Sequence, residues 1–340
     1  MLHSTSRRAA LIAVIAAALL QAACSKTADA PPPAAEAPAP APAPAAPPPP
    51  AVEPAPAPAP KLANDHAFTI GQASALALRD GGMEVPNDNK VFGVGQTPAE
   101  VAAVLKSAGQ PTDKLALTIE PLLVKSADRV LLFDTGAGAN FGPGAGKLLT
   151  SLGEAGVDPA SVTDIFISHA HGDHVGGLVN AEGALNYPNA TIHISKPEWT
   201  YLTGLDGEMA KAVGVSNLDA LVTAMKAKVD AFAPGAEIVP GAVKAIAIQG
   251  HTPGHSGYLI TSGAGSLLYV GDSMHHFVIS VQKPEWINAF DGDHEVAAKS
   301  RAELIARLAQ SKQRVYAVHF PFPGIGTFEQ KGEGYVWVSE

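Results

Sequence analysis

The chain has 340 residues, a formal net charge of -9 and one cysteine, with 46% apolar and 16% charged residues. That length accommodates one large α/β domain with a proper core, whereas a single cysteine excludes a disulfide framework. The acidic balance, with no basic run beyond the first residues, speaks against a nucleic-acid partner, which would want a positive groove.

Residues 1–24 run from Arg7-Arg8 through an apolar stretch, Ala9 to Leu20, to Ala22-Ala23-Cys24. The stretch is too short for a permanent membrane helix and reads as a secretory signal peptide, so the protein is expected to be exported. Cys24 stands where bacterial lipoproteins are cleaved and lipidated, which predicts an N-terminal lipid anchor and a periplasmic or outer-membrane location. Gln21 stands where such boxes usually carry Leu, and a plainly cleaved signal giving a soluble periplasmic protein is the alternative. Residues 25–63 form a Pro/Ala-rich tether in which Glu36 and Glu53 are the only charges between positions 31 and 60. Such a segment cannot bury a core and is expected to be disordered, near polyproline II, at about 3.1 Å per residue or roughly 90 Å for residues 31–60.

Residues 64–340 have the composition of a folded domain, and its elements alternate. Ala67 to Ala77 and Leu115 to Val124 read as strands, and Val130 to Phe133 as a short buried one ending in Asp134-Thr135-Gly136. Thr97-Pro98-Ala99-Glu100 opens a helix that Gly109 closes. Lys147 to Ala155 is a second helix, with Leu148, Leu149 and Leu152 as its inner face. Strands at Asp164 to Ser168 and Ala190 to Ser195 precede an amphipathic helix over Asn217 to Phe232. Strands follow near Val243 to Ile248, Tyr258 to Thr261 and Leu267 to Val270, then a helix from Glu295 to Ala309 and a strand at Val315 to Val318. Two groups of strands, each with helices, predict two sheets packed face to face with helices outside.

The most informative stretch is Ser168-His169-Ala170-His171-Gly172-Asp173-His174, entered from the apolar Ile165-Phe166-Ile167 and left through Gly176-Gly177. His169 and His171 lie two apart, so on extended backbone they project to one side and can grip one ion. Asp173 and His174 diverge and suit a second. Oxygen and nitrogen donors at a divalent site favour zinc, with iron or manganese as alternatives. Later segments repeat the context of a donor just after an apolar strand: Gly250-His251-Thr252-Pro253-Gly254-His255, Gly271-Asp272, and Val318-His319. With His255, Asp272 and His319 the donors number five histidines and two aspartates, enough for two metals sharing one bridge.

In this set and order the sequence resembles the metallo-β-lactamase fold hydrolases over nearly all of residues 64–340. The resemblance implies a four-layer αββα sandwich with the site along the sheet edges. It implies one metal on His169, His171 and His255, the other on Asp173, His174 and His319, and Asp272 bridging. It is similar in particular to the methyl parathion hydrolase branch through Phe141-Gly142-Pro143, Val281-Gln282 and the His319-Phe320-Pro321 segment, and that branch implies a homodimer. Phe141 falls where the branch puts a pocket aromatic, while Met274-His275-His276 departs from its apolar pattern.

Zinc lowers the pKa of bound water to about 7, so two ions supply a hydroxide that can attack a carbonyl carbon or a phosphorus centre. Asp173 and Asp272 are then the catalytic carboxylates, orienting the hydroxide and holding the ions together. No serine or cysteine nucleophile is needed. Asp134 is a candidate to steer a ligand imidazole, and His251 reads as a turn residue or a ligand's partner. Trp199, Trp286 and Phe290, with His275 and His276, are candidates to line a pocket for a small-molecule substrate. The expected activity is hydrolysis of an ester, lactone or phosphotriester. An iron-dependent sulfur dioxygenase and a non-catalytic metal-binding surface lipoprotein are the rival classes. A β-lactamase of the commonest zinc type would carry cysteine where Asp272 stands.

Overall fold

The computed structural model describes residues 64–126 and 128–340. The predicted signal peptide, Cys24 and the Pro/Ala tether lie outside the described residues.

Two seven-stranded sheets organise the domain. The first runs, in spatial order, Asp65–Ile70, Ala73–Leu78, Leu122–Ser126, Arg129–Phe133, Asp164–Phe166, Thr191–Ser195 and Val229–Phe232. Its first four strands pair antiparallel and the remaining ones parallel. The second runs Glu237–Val239, Val243–Ala247, Ser256–Ser262, Gly265–Tyr269, Val315–Tyr316, Ile325–Lys331 and Gly334–Ser339. Here all neighbours are antiparallel except Gly265–Tyr269 with Val315–Tyr316.

Alternation along each strand divides its side chains between two cores. Leu131 and Phe133 join Tyr258, Ile260, Leu267 and Tyr269 between the sheets. Leu132 and Ile165 point the other way, under the helices that cover the first sheet. Leu268 meets Leu304, Ile305 and Leu308 of the helix His294–Ser311 behind the second sheet. Strands buried on both faces must be apolar throughout, which is why these segments are short continuous hydrophobic runs. Phe133 stacks on Phe166 at 4.8 Å, with Tyr258 and Tyr269 at 5.6 and 5.7 Å. Each such buried ring contributes on the order of 2 kcal/mol. The layers are those of an αββα sandwich, as the alternation of elements predicts.

Several elements differ from expectation, each for a local reason. Ala67 to Ala77 is a hairpin, because Gly71 turns the chain at a φ of +56°. Leu115 to Val124 breaks at Glu120-Pro121. Its first half, Lys114–Ile119, pairs with Gly81–Pro86 in a separate two-stranded sheet. The amphipathic stretch after Asn217 is a helix only over Leu218–Met225, and Val229–Phe232 leaves it to become an edge strand beside Thr191–Ser195. In the helix Leu148–Glu154, Leu149 is 43% exposed and Ser151 is buried in its place. The helix Pro98–Ser107 starts as predicted, with Thr97 and Glu100 forming a reciprocal capping box. Among the described residues no helix is long and apolar enough to cross a membrane.

Candidate metal centre

The candidate donors sit on segments that leave strands of both sheets at one edge. Asp164–Phe166 leads to the loop of His169 and His171 and the short helix Gly172–Val175, which carries Asp173 and His174. Val243–Ala247 leads to His251, Gly265–Tyr269 to Asp272, and Val315–Tyr316 to His319. Ligand sites in sheets of this kind gather at the carboxyl ends of strands.

Two clusters result. His169, His171, His251 and Asp272 offer donor atoms within 4.8 Å of one another, as do Asp173, His174 and His319. In the first, His251 Nε2 lies 3.1 Å from His169 Nε2 and 3.0 Å from His171 Nδ1. Asp272 Oδ2 faces the same group, 3.6 Å from His169 Nε2 and 3.5 Å from His251 Nε2. Its other oxygen, Oδ1, faces the second cluster, 3.2 Å from His174 Nε2 and 3.1 Å from His319 Nε2. Asp173 Oδ2 completes that cluster at 3.6 Å from both imidazoles.

One expectation is corrected here. The structure brings His251, not His255, into the first cluster. His255 Nε2 accepts the backbone N–H of Asp272 at 2.9 Å, and its Nδ1 lies 3.1 Å from the Ile248 carbonyl. Both ring nitrogens are thereby engaged, and no lone pair is free for an ion. The close approach depends on Gly271, where a Cβ would stand 2.6 Å from His255 Nε2. His255 therefore holds the backbone at Asp272 in place.

Four of the inward-facing imidazoles, those of His169, His174, His251 and His319, have an acceptor on their far side, whereas His171 turns Nδ1 inward. His174 Nδ1 meets Asp134 Oδ2 at 2.7 Å, His319 Nδ1 meets the Thr118 carbonyl at 2.6 Å, and His251 Nδ1 meets Asp291 Oδ1 at 3.0 Å. His169 Nδ1 lies 3.0 Å from Ser168 Oγ, whose own hydrogen goes to Asp134 Oδ2 at 2.6 Å. An acceptor at Nδ1 fixes the hydrogen there and leaves the Nε2 lone pair pointing inward, the tautomer a metal needs. Asp134 thus steers an imidazole, as its position after a strand suggested, and it also accepts Tyr269 Oη–H at 2.7 Å and the Ser168 N–H at 2.7 Å.

Burial governs the charge states. It pulls His169 well below the ordinary imidazole value, takes His171 down to about 3 and His251 to about 4, and so keeps them neutral. At His174 burial works the same way, but Asp272, Asp173 and Asp134 outweigh it and hold the ring above its usual value. Burial opposes ionisation of Asp272 too, yet the imidazoles around it, His174 and His319 foremost, keep it well below the carboxylate range. His174 Nε2 and Asp272 Oδ1 are buried without a hydrogen-bond partner. Orphaned donors of this kind, converging from His and Asp side chains, fit a pair of divalent metal ions.

Two residues that sequence reasoning missed hold the loops together. Glu198, fully buried in the helix Lys196–Gly204, accepts the Ala170 N–H at 2.8 Å through Oε1. Through Oε2 it accepts Thr252 Oγ1–H and the Gly254 N–H, both at 2.8 Å. One carboxylate thereby joins the loop of His169 to the loop of His251. Arg301, also buried, donates to Asp291 Oδ2 at 3.1 Å and so backs the support of His251.

Beside the clusters lies a cleft of about 420 Å³. Met83, Leu117, Phe141 and Phe290 form an apolar wall, and His275 and Tyr201 are among its polar lining. Phe141, Phe290 and His275 stand where expected. Trp199 does not: it packs against the core under the helices, and Tyr201, two residues on, reaches the cleft instead. Trp286 packs with Phe92 and Val101 in a separate cluster, and His276 accepts the Val278 and Ile279 N–H groups, a structural role.

Two facing sheets with seven His and Asp donors gathered in paired clusters at one edge define an αββα protein with a candidate two-metal centre, and its solved structural neighbours are metal-dependent hydrolases. The chain belongs to the metallo-β-lactamase superfamily, whose family model matches residues 121–319. Among solved structures it is similar to AidC, described as a dizinc quorum-quenching lactonase in complex with a product, N-hexanoyl-L-homoserine. The TM-score is 0.76 with 30% identity, over 82% of this chain and 97% of that one. It is also similar to AbOPH, described as a hydrolase in the β-lactamase superfamily, with a TM-score of 0.73 and 28% identity over 82% and 98% of the two chains. A probable metal-dependent hydrolase from Staphylococcus aureus shares the fold at 20% identity and a TM-score of 0.65, over 80% and 99%. No curated protein matches in a sequence comparison.

Proposed function

We propose that the chain is a dinuclear zinc hydrolase that opens a lactone or cleaves an ester carrying an apolar group. The observation that carries this reading is Asp272, which turns one oxygen to each cluster beside a cleft with an apolar wall. His169, His171 and His251 would hold one ion and Asp173, His174 and His319 the other, with Asp272 placed between the two clusters. When bound, such a pair supplies a water deprotonated near neutral pH and polarises the bond under attack. Asp173 and Asp272 would orient the attacking oxygen, while Phe141, Phe290, Met83 and Leu117 would receive the apolar part of the substrate. The product of AidC, N-hexanoyl-L-homoserine, has that form: a ring-opened lactone with a short acyl chain.

A phosphotriester is the second reading, suggested by the resemblance of Phe141-Gly142-Pro143 and the His319-Phe320-Pro321 segment to the methyl parathion hydrolase branch. A hydrolysis panel of N-acyl homoserine lactones, aryl esters and organophosphate triesters with zinc-loaded protein separates the two. Turnover of lactones or esters above the triesters supports the first, and the reverse order supports the second. We further propose that the enzyme is exported and held at the membrane through lipid on Cys24. Mass spectrometry of the mature N-terminus tests this, with an unmodified end at another residue as the contrary result.

A further inference from the structure

His275 stands three residues after Asp272, in the segment that departs from the resembled branch, and it is buried beside the clusters. Its ring lies parallel to His319 at 5.6 Å and packs on Phe290 at 5.4 Å. Its Nε2 comes within 3.1 Å of Asp272 Oδ2 without making a satisfactory hydrogen bond, and it lines the cleft. By distance alone it would count as an eighth metal ligand.

The opposite side of the ring decides otherwise. Asn288 Oδ1 accepts the Phe290 N–H at 3.1 Å, so it is the amide nitrogen of Asn288 that faces His275 Nδ1, at 2.7 Å. An amide N–H donates, so His275 Nδ1 accepts, and the ring hydrogen sits on Nε2. His174, His251 and His319 have acceptors at Nδ1 and present a lone pair inward. His275 has a donor at Nδ1 and presents N–H. A ring nitrogen that carries a hydrogen cannot ligate a cation, but in a cleft with apolar walls it is a strong, fixed hydrogen-bond donor.

We propose that His275 donates its Nε2–H to an oxygen of the bound substrate or product, the carbonyl or carboxylate of an ester or lactone, and that Asn288 locks it in that tautomer. This rests on the hydrolase reading above and adds a specificity-determining residue to it. Charge develops on that oxygen as the carbonyl is attacked, so the donor acts most strongly where the reaction needs it.

The test uses the full zinc-loaded chain and three variants: His275→Phe, His275→Gln and Asn288→Asp. Phenylalanine removes the donor, glutamine restores an N–H, and the aspartate would accept at Nδ1 and move the hydrogen away from Nε2. The expected results are two zinc ions per chain in all four proteins and an Nε2–H signature for His275 in imidazole ¹⁵N spectra of the parent. On N-hexanoyl homoserine lactone, kcat/KM should fall about 100-fold in His275→Phe, equally in Asn288→Asp, and less in His275→Gln. Loss of a zinc ion in His275→Phe, an Nδ1–H signature in the parent, or unchanged kcat/KM would overturn the proposal. Absence of hydrolysis by the parent would overturn the hydrolase reading, while zinc content and the tautomer would still decide for or against His275 as a donor.

Discussion

Glu198 offers the sharpest test of how the site is held. Its two oxygens accept three hydrogen bonds from the two histidine loops, all at 2.8 Å and all buried. In Glu198→Gln the amide oxygen can keep Thr252 and Gly254, but its NH₂ then faces the Ala170 N–H, donor against donor. One buried N–H left unpaired costs about 1–3 kcal/mol, and Glu198→Ala, which strands all three donors, costs on the order of 4 kcal/mol. Loosening the two loops relative to each other also separates His169 from His251, and such support residues are worth about 10- to 100-fold in metal affinity. With zinc buffered above its dissociation constant, that loss appears as about 1.4–2.7 kcal/mol of extra destabilisation over the chelated protein. Urea unfolding with and without zinc, together with a chelator competition titration, measures both quantities. A variant that loses stability equally in both conditions, with zinc affinity unchanged, would refute the claim that Glu198 sets the distance between the loops.

Other outcomes follow from the same geometry. His251→Ala should lose one of two zinc ions, whereas His255→Gln should retain both and lose stability, with metal analysis of each variant as the check. Asp272→Ala should reduce hydrolysis by at least about 1,000-fold while circular dichroism reports a folded chain, since no other described side chain faces both clusters with two oxygens. Gly271→Val, which would place a side chain at a φ of +50° and against His255, should destabilise by more than about 2 kcal/mol in thermal melts. Burial opposes ionisation of Asp164, but His193, Thr163 and Arg129 outweigh it and hold the carboxyl below its usual value. Because the folded value is depressed, the stability it contributes is present above about pH 4 and is lost as pH falls through the folded value. The gap between the parent and Asp164→Asn in urea unfolding should accordingly narrow below about pH 4.

The sandwich was legible because its central strands are buried on both faces and must read as apolar runs, and because several of those runs, ending near Ile167, Ile248, Val270 and Val318, were followed by a candidate donor. What the sequence concealed was set by tertiary contacts. His251 and His255 share one turn and one residue type, and only the position of the Asp272 N–H distinguishes them. Glu198 sits at the third position of a helix capped by Ser195, which reads as ordinary capping, and nothing local announces that it reaches two distant loops. Trp199 and Tyr201 differ by two positions on a short helix, and its packing decided which aromatic faces the cleft. The helix expected through Phe232 failed because a vacant edge beside Thr191–Ser195 outweighed the periodicity of the stretch.

The claim beneath all of this is that six side chains hold two cations and a seventh, Asp272, spans them. Anomalous diffraction at the zinc edge on crystals of the zinc-loaded protein measures this directly. Two peaks are expected, one among His169, His171 and His251 and one among Asp173, His174 and His319, with Asp272 between them. A single peak, or one iron per chain with oxygen uptake in solution, would contradict it.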